Sequence, residues 1–343
     1  SALSGQEGFR FAENGEFSKR AVVNGRIDLT EAEGINDLIN AETEAQRDQG
    51  LNQLEGALRL QLEKWSNDLK GFGAHIEAYI DFPDEQIPEN VLSDLLQGVE
   101  ETNRELKEFV DDDRKGEILR SGLKVAVIGP PNVGKSSFVN WLTKRDIAIT
   151  SEKAGTTRDI VEAHLDLGGY PVTVADTAGM RASEDTIERE GIRRARIWAE
   201  SADLRVLILD PETIEDANAF SDLLKSGDPV LMNKADRVTI VKKKMSSVYS
   251  LVSVKTGYGL ASTLSELTTI AKKKMGTQGV MTITQARHRA LLNDCLAALQ
   301  KAQQWHRRPR HARPERQTVV SARKLCSLSS TKELSLFVVC LPL

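Results

Sequence analysis

One stretch constrains this chain more than any other. Residues Gly129-Pro130-Pro131-Asn132-Val133-Gly134-Lys135-Ser136 spell G-x-x-x-x-G-K-[ST]. They follow the apolar run Val125-Ala126-Val127-Ile128 and precede a helical stretch over 136–144. A glycine-rich loop between a buried strand and a helix can turn several backbone N–H groups toward one anion, and the helix start adds positive dipole. The Lys135 ammonium then reaches the β- and γ-phosphates of a nucleoside triphosphate, and the Ser136 hydroxyl binds Mg²⁺. Val133, Gly134 and Ser137 complete the phosphate-facing set. The alternative is a ligand-free turn, and the strand–loop–helix context argues against it.

Around that loop the apolar pattern is that of an α/β sheet. Short apolar runs recur at 161–167, 172–175, 204–209, 229–232 and 249–254, and helical stretches over 186–200, 215–225 and 259–272 alternate with most of them. This predicts a mostly parallel sheet. On either side the period is helical. Leu29, Ala32, Ile35, Leu38 and Ile39 start one helix. Leu51, Leu54, Leu58, Leu62, Trp65, Leu69, Phe72, Ile76 and Tyr79 read as one long amphipathic helix, ended by Asp81-Phe82-Pro83. Leu92 to Val110 forms the next, closed by Asp111-Asp112-Asp113 and Gly116. Helix returns over 284–304. The expected layout is an α/β domain (117–275) inserted into a helical bundle domain (29–116 and 276–304). Residues 1–28 read as loop and short strand, and 305–343 as an atypical tail.

Composition excludes several classes. With 40% hydrophobic and 28% charged residues among 343, the chain is neither fibrous nor wholly disordered. No apolar run of about 18 residues is present. Three cysteines (Cys295, Cys326, Cys340) make no disulfide frame or zinc site. The net charge of −4 conceals an asymmetry, since residues 305–343 carry +6 and the remainder −10. Two readings of the basic tail stand: an arm whose arginines track nucleic-acid phosphates, or read-through of a misjudged exon or shifted frame. The start at Ser1, without Met, reads as a fragment.

Four further motifs accompany the phosphate loop. Asp176-Thr177-Ala178-Gly179 ends a strand; Asp176 can hold Mg²⁺ through water, and the Gly179 N–H can meet a γ-phosphate. Asn233-Lys234-Ala235-Asp236 ends another. Asp236 offers two acceptors to the N1–H and N2–H₂ of guanine, a donor pair that adenine lacks. Ser253-Val254-Lys255 closes the last strand and can present an N–H to guanine O6. Gly155-Thr156-Thr157-Arg158-Asp159 lies after the first helix of the sheet domain, with Thr157 set to complete the Mg²⁺ shell. Three of the four sit at strand ends, where ligands of open α/β sheets bind.

This ordered set resembles the translation-factor-related class of small GTPase domains. The flanks narrow the resemblance. Arg10-Phe11-Ala12-Glu13-Asn14-Gly15-Glu16-Phe17-Ser18-Lys19-Arg20-Ala21, Asn24-Gly25-Arg26-Ile27-Asp28-Leu29-Thr30-Glu31-Ala32-Glu33 and Ala78-Tyr79-Ile80-Asp81-Phe82-Pro83 are similar to segments of the MnmE (TrmE) family of tRNA-modification GTPases. The similarity covers about 5–304. Ala41-Glu42-Thr43-Glu44-Ala45-Gln46-Arg47 leans toward the mitochondrial homologues, which implies the mitochondrial matrix, with a bacterial cytoplasm as the alternative.

The resemblance implies a particular chemistry. Met180 follows the D-x-x-G motif where a Ras-type enzyme has its water-orienting glutamine. The family instead implies a bound K⁺ that stabilises charge on the β–γ bridge, held here by Asn132 and the loop with Ser151, Lys153 and Thr156. The alternative for Asn132 is a turn residue. Glu188 matches the glutamate that acts through a bridging water, and reads equally as an ordinary helix-start acid. With Lys135 and Thr157 it makes the expected catalytic set. Arg158 and Arg181 read as surface or as contacts to a dimer partner or tRNA. The family implies homodimerisation through the GTPase domains, a flavoprotein partner of the MnmG/GidA type, and modification of the tRNA wobble uridine at carbon 5. It also implies a one-carbon unit from 5-formyl- or methylene-tetrahydrofolate. Arg26 matches a basic position at the folate pocket, against its plainer reading as a surface charge or helix-entry contact.

Two departures from the family stand out. Residues 1–28 correspond only to the last stretch of its N-terminal folate-binding, dimerising domain. The chain ends Phe337-Val338-Val339-Cys340-Leu341-Pro342-Leu343, without the family's Cys-x-Gly-Lys tail. Two other functional readings share the loops: a ribosome-assembly or RNA-binding switch of the Era or EngA kind, and a non-catalytic guanine-nucleotide scaffold.

Overall fold

A computed structural model describes residues 10–81, 89–145, 149, 162–176, 196–237, 249–276 and 279–306. The helices are α1 (Glu16–Val23), α2 (Leu29–Ile39), α3 (Glu44–Leu54), α4 (Ala57–Asp81), α5 (Glu89–Val110), α6 (Lys115–Ser121), α7 (Lys135–Thr143), α8 (Leu260–Met275) and α9 (Ala286–His306). The strands are β1 (Leu123–Ile128), β2 (Glu162–Asp166), β3 (Pro171–Asp176), β4 (Leu204–Leu209), β5 (Val230–Met232) and β6 (Ser250–Leu251). The chain forms two compact units. One comprises Ser1–Asn40, Asp48–Glu117 and Gly279–Leu343; the other comprises Ala41–Arg47 and Ile118–Gln278.

The second unit is the α/β unit. Its six-stranded sheet has the order β2-β3-β1-β4-β5-β6. Only β2 runs antiparallel to its neighbour; β1, β3, β4, β5 and β6 are parallel. Side-chain alternation on β1 explains why both faces are covered. Leu123, Val125 and Val127 enter one core with Phe138 and Leu142 of α7 and Leu267 and Ala271 of α8. Ala126 and Ile128 enter another with Ala199, Ala202, Leu207, Leu209 and Met232. Strands buried on both faces read as continuous apolar runs, which is how Val125–Ile128 of β1 and Val206–Leu209 of β4 read.

The first unit is helical. Asp28 starts α2 with a reciprocal cap: its carboxylate accepts the Glu31 N–H at 2.7 Å, and the Glu31 carboxylate accepts the Asp28 N–H at 2.9 Å. Leu58, Leu62 and Trp65 of α4, Val99 and Leu106 of α5, and Leu292, Leu296 and Leu299 of α9 form its core. Trp65 meets Phe109 edge-on, with ring centroids 5.2 Å apart.

Several elements differ from those expected from sequence. The long helix expected over 51–79 is two helices, because Gly56 adopts φ +78° and the Gly56 N–H turns back to Gln53 O. Residues Glu16–Val23 form α1 where loop and strand are expected; the Glu16 carboxylate accepts the Glu13 N–H and pairs with Arg10, closing the helix start. Gly116 lies inside α6 rather than closing α5. A Cβ there would stand 2.4 Å from Thr282 Oγ1. The helix expected over 215–225 is a 3₁₀ turn over Ile214–Phe220, with polar side chains competing for the backbone, as where Ser221 Oγ donates to Asn218 O at 2.8 Å. The last strand stops at Leu251, because the N–H groups of Ser253 and Val254 bond to Tyr258 O and Asn233 Oδ1 instead. Pro83 and the tail beyond His306 lie outside the described residues.

Candidate nucleotide-binding site

The carboxyl ends of the central strands converge. Val127 of β1 stands opposite Asp176 of β3, Ile128 opposite Leu207 of β4, and Leu209 of β4 opposite Met232 of β5. The G-x-x-x-x-G-K-S loop and the Asn233–Asp236 segment leave the sheet from this edge.

The loop backbone has the conformation its glycines permit. Gly129 has φ +141°, and a Cβ there would lie 2.1 Å from Ile208 O. Gly134 has φ +101°, and a Cβ there would lie 2.3 Å from Asn233 Nδ2. Either glycine is thus closed to any side chain. Asn132 also adopts a left-handed backbone, φ +64°, which asparagine tolerates. The buried Lys135 bends back over the loop and donates to Gly129 O at 2.8 Å and Pro130 O at 2.6 Å. Ser136 and Ser137, on the first turn of α7, are exposed, and Val133 is buried.

The Asn233–Asp236 segment is braced against the loop. Buried Asn233 donates from Nδ2 to Val133 O at 2.7 Å and accepts the Val254 N–H on Oδ1 at 3.1 Å. Asp236 is exposed, and its Oδ1 accepts the Ser253 hydroxyl at 2.6 Å. That bond holds the Asp236 carboxyl below its usual range, so it stays a pure acceptor. Lys255 is exposed beside it. The bonds of Asn233 to Val133 and Val254 and the bond of Ser253 to Asp236 thus meet at the Ser253–Val254 peptide link.

Sequence reasoning missed Asp210, which follows β4 at the same edge. It is buried and ion-paired with Lys234 of the Asn233–Asp236 segment. Burial pushes its carboxyl up, but the Lys234 ammonium and the Thr213 donors more than offset this and hold it low. An acid directly after the apolar run Val206–Leu209 is the signal that could have found it. Arg205, fully buried within β4, was missed too. Its guanidinium donates to the carbonyls of Ala199 and Ala202 and lies 3.6 Å from Asp228.

The structure does not describe every predicted residue. For Asp176 only the backbone at the end of β3 is described. Ser151, Lys153, Thr156, Thr157, Arg158, Gly179, Met180, Arg181 and Glu188 lie outside the described residues. Arg26 is exposed in the helical unit, its backbone N–H on Ala21 O at 2.9 Å. Cys295 packs against the helical core, and burial pushes its thiol up to about 11, which suits a core residue. No helix among the described residues is long and apolar enough to cross a membrane.

Known proteins resemble the chain over most of its length. The profile of the MnmE helical domain matches residues 29–317. The tRNA modification GTPase MnmE of Rickettsia bellii is 46% identical over 306 residues, covering 87% of this chain and 68% of that protein. Its namesake in Rickettsia rickettsii is 44% identical over 309 residues, with the same coverage. That of Parvibaculum lavamentivorans is 44% identical over 302 residues, covering 88% of this chain and 68% of its own length. A match of this extent, on a chain whose α/β unit interrupts its helical unit, establishes that the chain belongs to the MnmE family.

Proposed function

We propose that this chain binds GTP at the carboxyl edge of its sheet and hydrolyses it in the service of tRNA modification. The observation that carries the reading is the Asn233 amide, which joins the loop carbonyl of Val133 to the backbone of Val254, with Asp236 pinned by Ser253 alongside. Such a network presents a fixed carboxylate to the guanine N1–H and N2–H₂ while the Gly129–Ser136 loop receives the phosphates. A hydrogen-bonding reader of this kind discriminates by roughly 10⁴ against a base lacking the donors.

The donor set fits Mg²⁺. The exposed Ser136 hydroxyl and the carboxylate of Asp176 are hard oxygen ligands of the type that ion prefers, with Thr157 the third candidate. When bound, Mg²⁺ neutralises charge on the β- and γ-phosphates. Lys135 needs only to leave the Gly129 and Pro130 carbonyls to place its ammonium on the same oxygens. Met180 cannot orient water, so we assign that role to Glu188, and assign K⁺ to Asn132, Ser151, Lys153 and Thr156. The left-handed backbone of Asn132 is compatible with an amide turned to a cation.

The family supports the remaining assignments. They are homodimerisation of the α/β units around nucleotide, a flavoprotein partner of the MnmG/GidA type, carbon-5 modification of the wobble uridine, tetrahydrofolate as one-carbon donor with Arg26 at its pocket, and residence in the mitochondrial matrix. The test is a titration of fluorescent guanine and adenine nucleotides, followed by GTP turnover in KCl and in NaCl. Guanine-selective uptake with faster turnover in KCl is expected. Equal uptake of the adenine nucleotide overturns the guanine reading, and equal rates in the two salts overturn the K⁺ assignment.

A further inference from the structure

We infer that Asp210 is a positioning residue for the nucleotide, acting through Lys234; this rests on the guanine-nucleotide reading of the edge. Two strands end side by side there. Leu209 of β4 pairs with Met232 of β5, and the Asn233 N–H bonds to Leu209 O at 2.8 Å. The next residues of the two chains, Asp210 and Lys234, form an ion pair.

The carboxylate is held by its own loop. Asp210 Oδ1 accepts from the Thr213 N–H at 3.0 Å, the Thr213 hydroxyl at 3.0 Å and the Glu212 N–H at 3.1 Å. Thr213 Oγ1 in turn accepts the Asp210 N–H at 3.1 Å. Three donors on Oδ1 fix the plane of the carboxylate and leave Oδ2 to Lys234. Only 3% of this side chain is exposed, against 25% of the Lys234 side chain, so the anchor is rigid and the cation sits at the rim.

Lys234 needs such an anchor. Its backbone is left-handed, φ +60°, a conformation disfavoured for lysine. Its carbonyl accepts the Arg237 N–H at 2.9 Å, closing the 3₁₀ turn Ala235–Arg237 that carries Asp236. The ion pair therefore holds the turn that presents the guanine-reading carboxylate. An amide at 210 keeps the volume but loses the charge that faces Lys234.

The experiment is a double-mutant cycle on the full chain, read by binding of mant-GDP and by GTP turnover. Asp210→Asn is expected to weaken mant-GDP affinity about tenfold and to raise the KM for GTP in step, with kcat within about twofold of the parent. In a Lys234→Met background the same change is expected to have no further effect, because its route to the nucleotide is gone. Asp210→Glu, which keeps the charge, restores most of the affinity. Should Asp210→Asn not fold, Thr213→Val serves instead. It loosens the carboxylate while leaving both charges, and its smaller loss likewise vanishes in the Lys234→Met background. Parental affinity in Asp210→Asn, or equal losses with and without Lys234, overturns the inference alone. A parent chain that takes up no mant-GDP overturns the nucleotide reading beneath it.

Discussion

The two units use polar residues for different ends. In the α/β unit the two cores are largely apolar, and four of the buried polar side chains, Lys135, Asp210, Asn233 and Ser253, gather at one sheet edge. In the helical unit polar groups are set into the packing itself, where the returning segment meets earlier chain. Arg289 of α9 binds Glu117 and Asp112, each at 2.6 Å, with side chains only 9–15% exposed. Thr284 donates to Gln53 at 3.0 Å, and Gln53 donates to Thr30 O at 3.0 Å. A unit built from sequence-distant segments needs devices that fix the register of the late arrival, and hydrogen-bonded charges do this more selectively than leucines. Where a polar side chain sits in this fold thus indicates whether it serves a ligand or the scaffold.

Substitutions can break that contrast. The largest expected effect is that of Asp236→Ala, which lowers the preference for guanine over adenine nucleotides by about 10⁴ in competition binding while leaving the thermal melt unchanged. Next, on the proposed function, Lys135→Ala lowers GTP turnover about 10³-fold without unfolding the chain, since it removes the charge assigned to the phosphates. If either variant melts early, the edge serves the scaffold after all. In the helical unit the order reverses. Arg289→Met takes the guanidinium from Asp112 in a largely buried joint, while Glu117 keeps Arg114 at 2.9 Å, and costs about 3 kcal/mol in urea denaturation, with mant-GDP affinity of the folded fraction unaltered. Smallest, Asp28→Ala removes the α2 cap at about 1 kcal/mol by the same measurement.

Much of the edge was legible because its demands fall on single residues. Gly129 and Gly134 stand where no Cβ fits, and glycine is the residue that such a backbone requires. The strands β1 and β4 were legible because burial on both faces leaves a four-residue apolar run in each, Val125–Ile128 and Val206–Leu209. The break between α3 and α4 was not. Leu51, Leu54, Leu58 and Leu62 keep their helical spacing across Gly56, and apolar spacing reports which side faces the core, not whether the backbone ladder is continuous. Helix α1 buries no residue, so it left no stripe to read. Arg205 and Asp210 were illegible for a third reason. Their partners come from a helix end and from the neighbouring strand's exit, so tertiary placement alone gives them meaning.

The interrupted helical unit has a consequence during synthesis. Leu292, Leu296 and Leu299 on α9 complete its core, yet the ribosome must first make residues 118–278. At about 5–20 residues per second that is a delay of roughly 8 to 30 s, during which the apolar flanks of α4 and α5 lack their last partner. The nascent polypeptide is then most open to aggregation or chaperone capture, and the inserted unit, whose own segments are by then complete, can fold before the one that surrounds it.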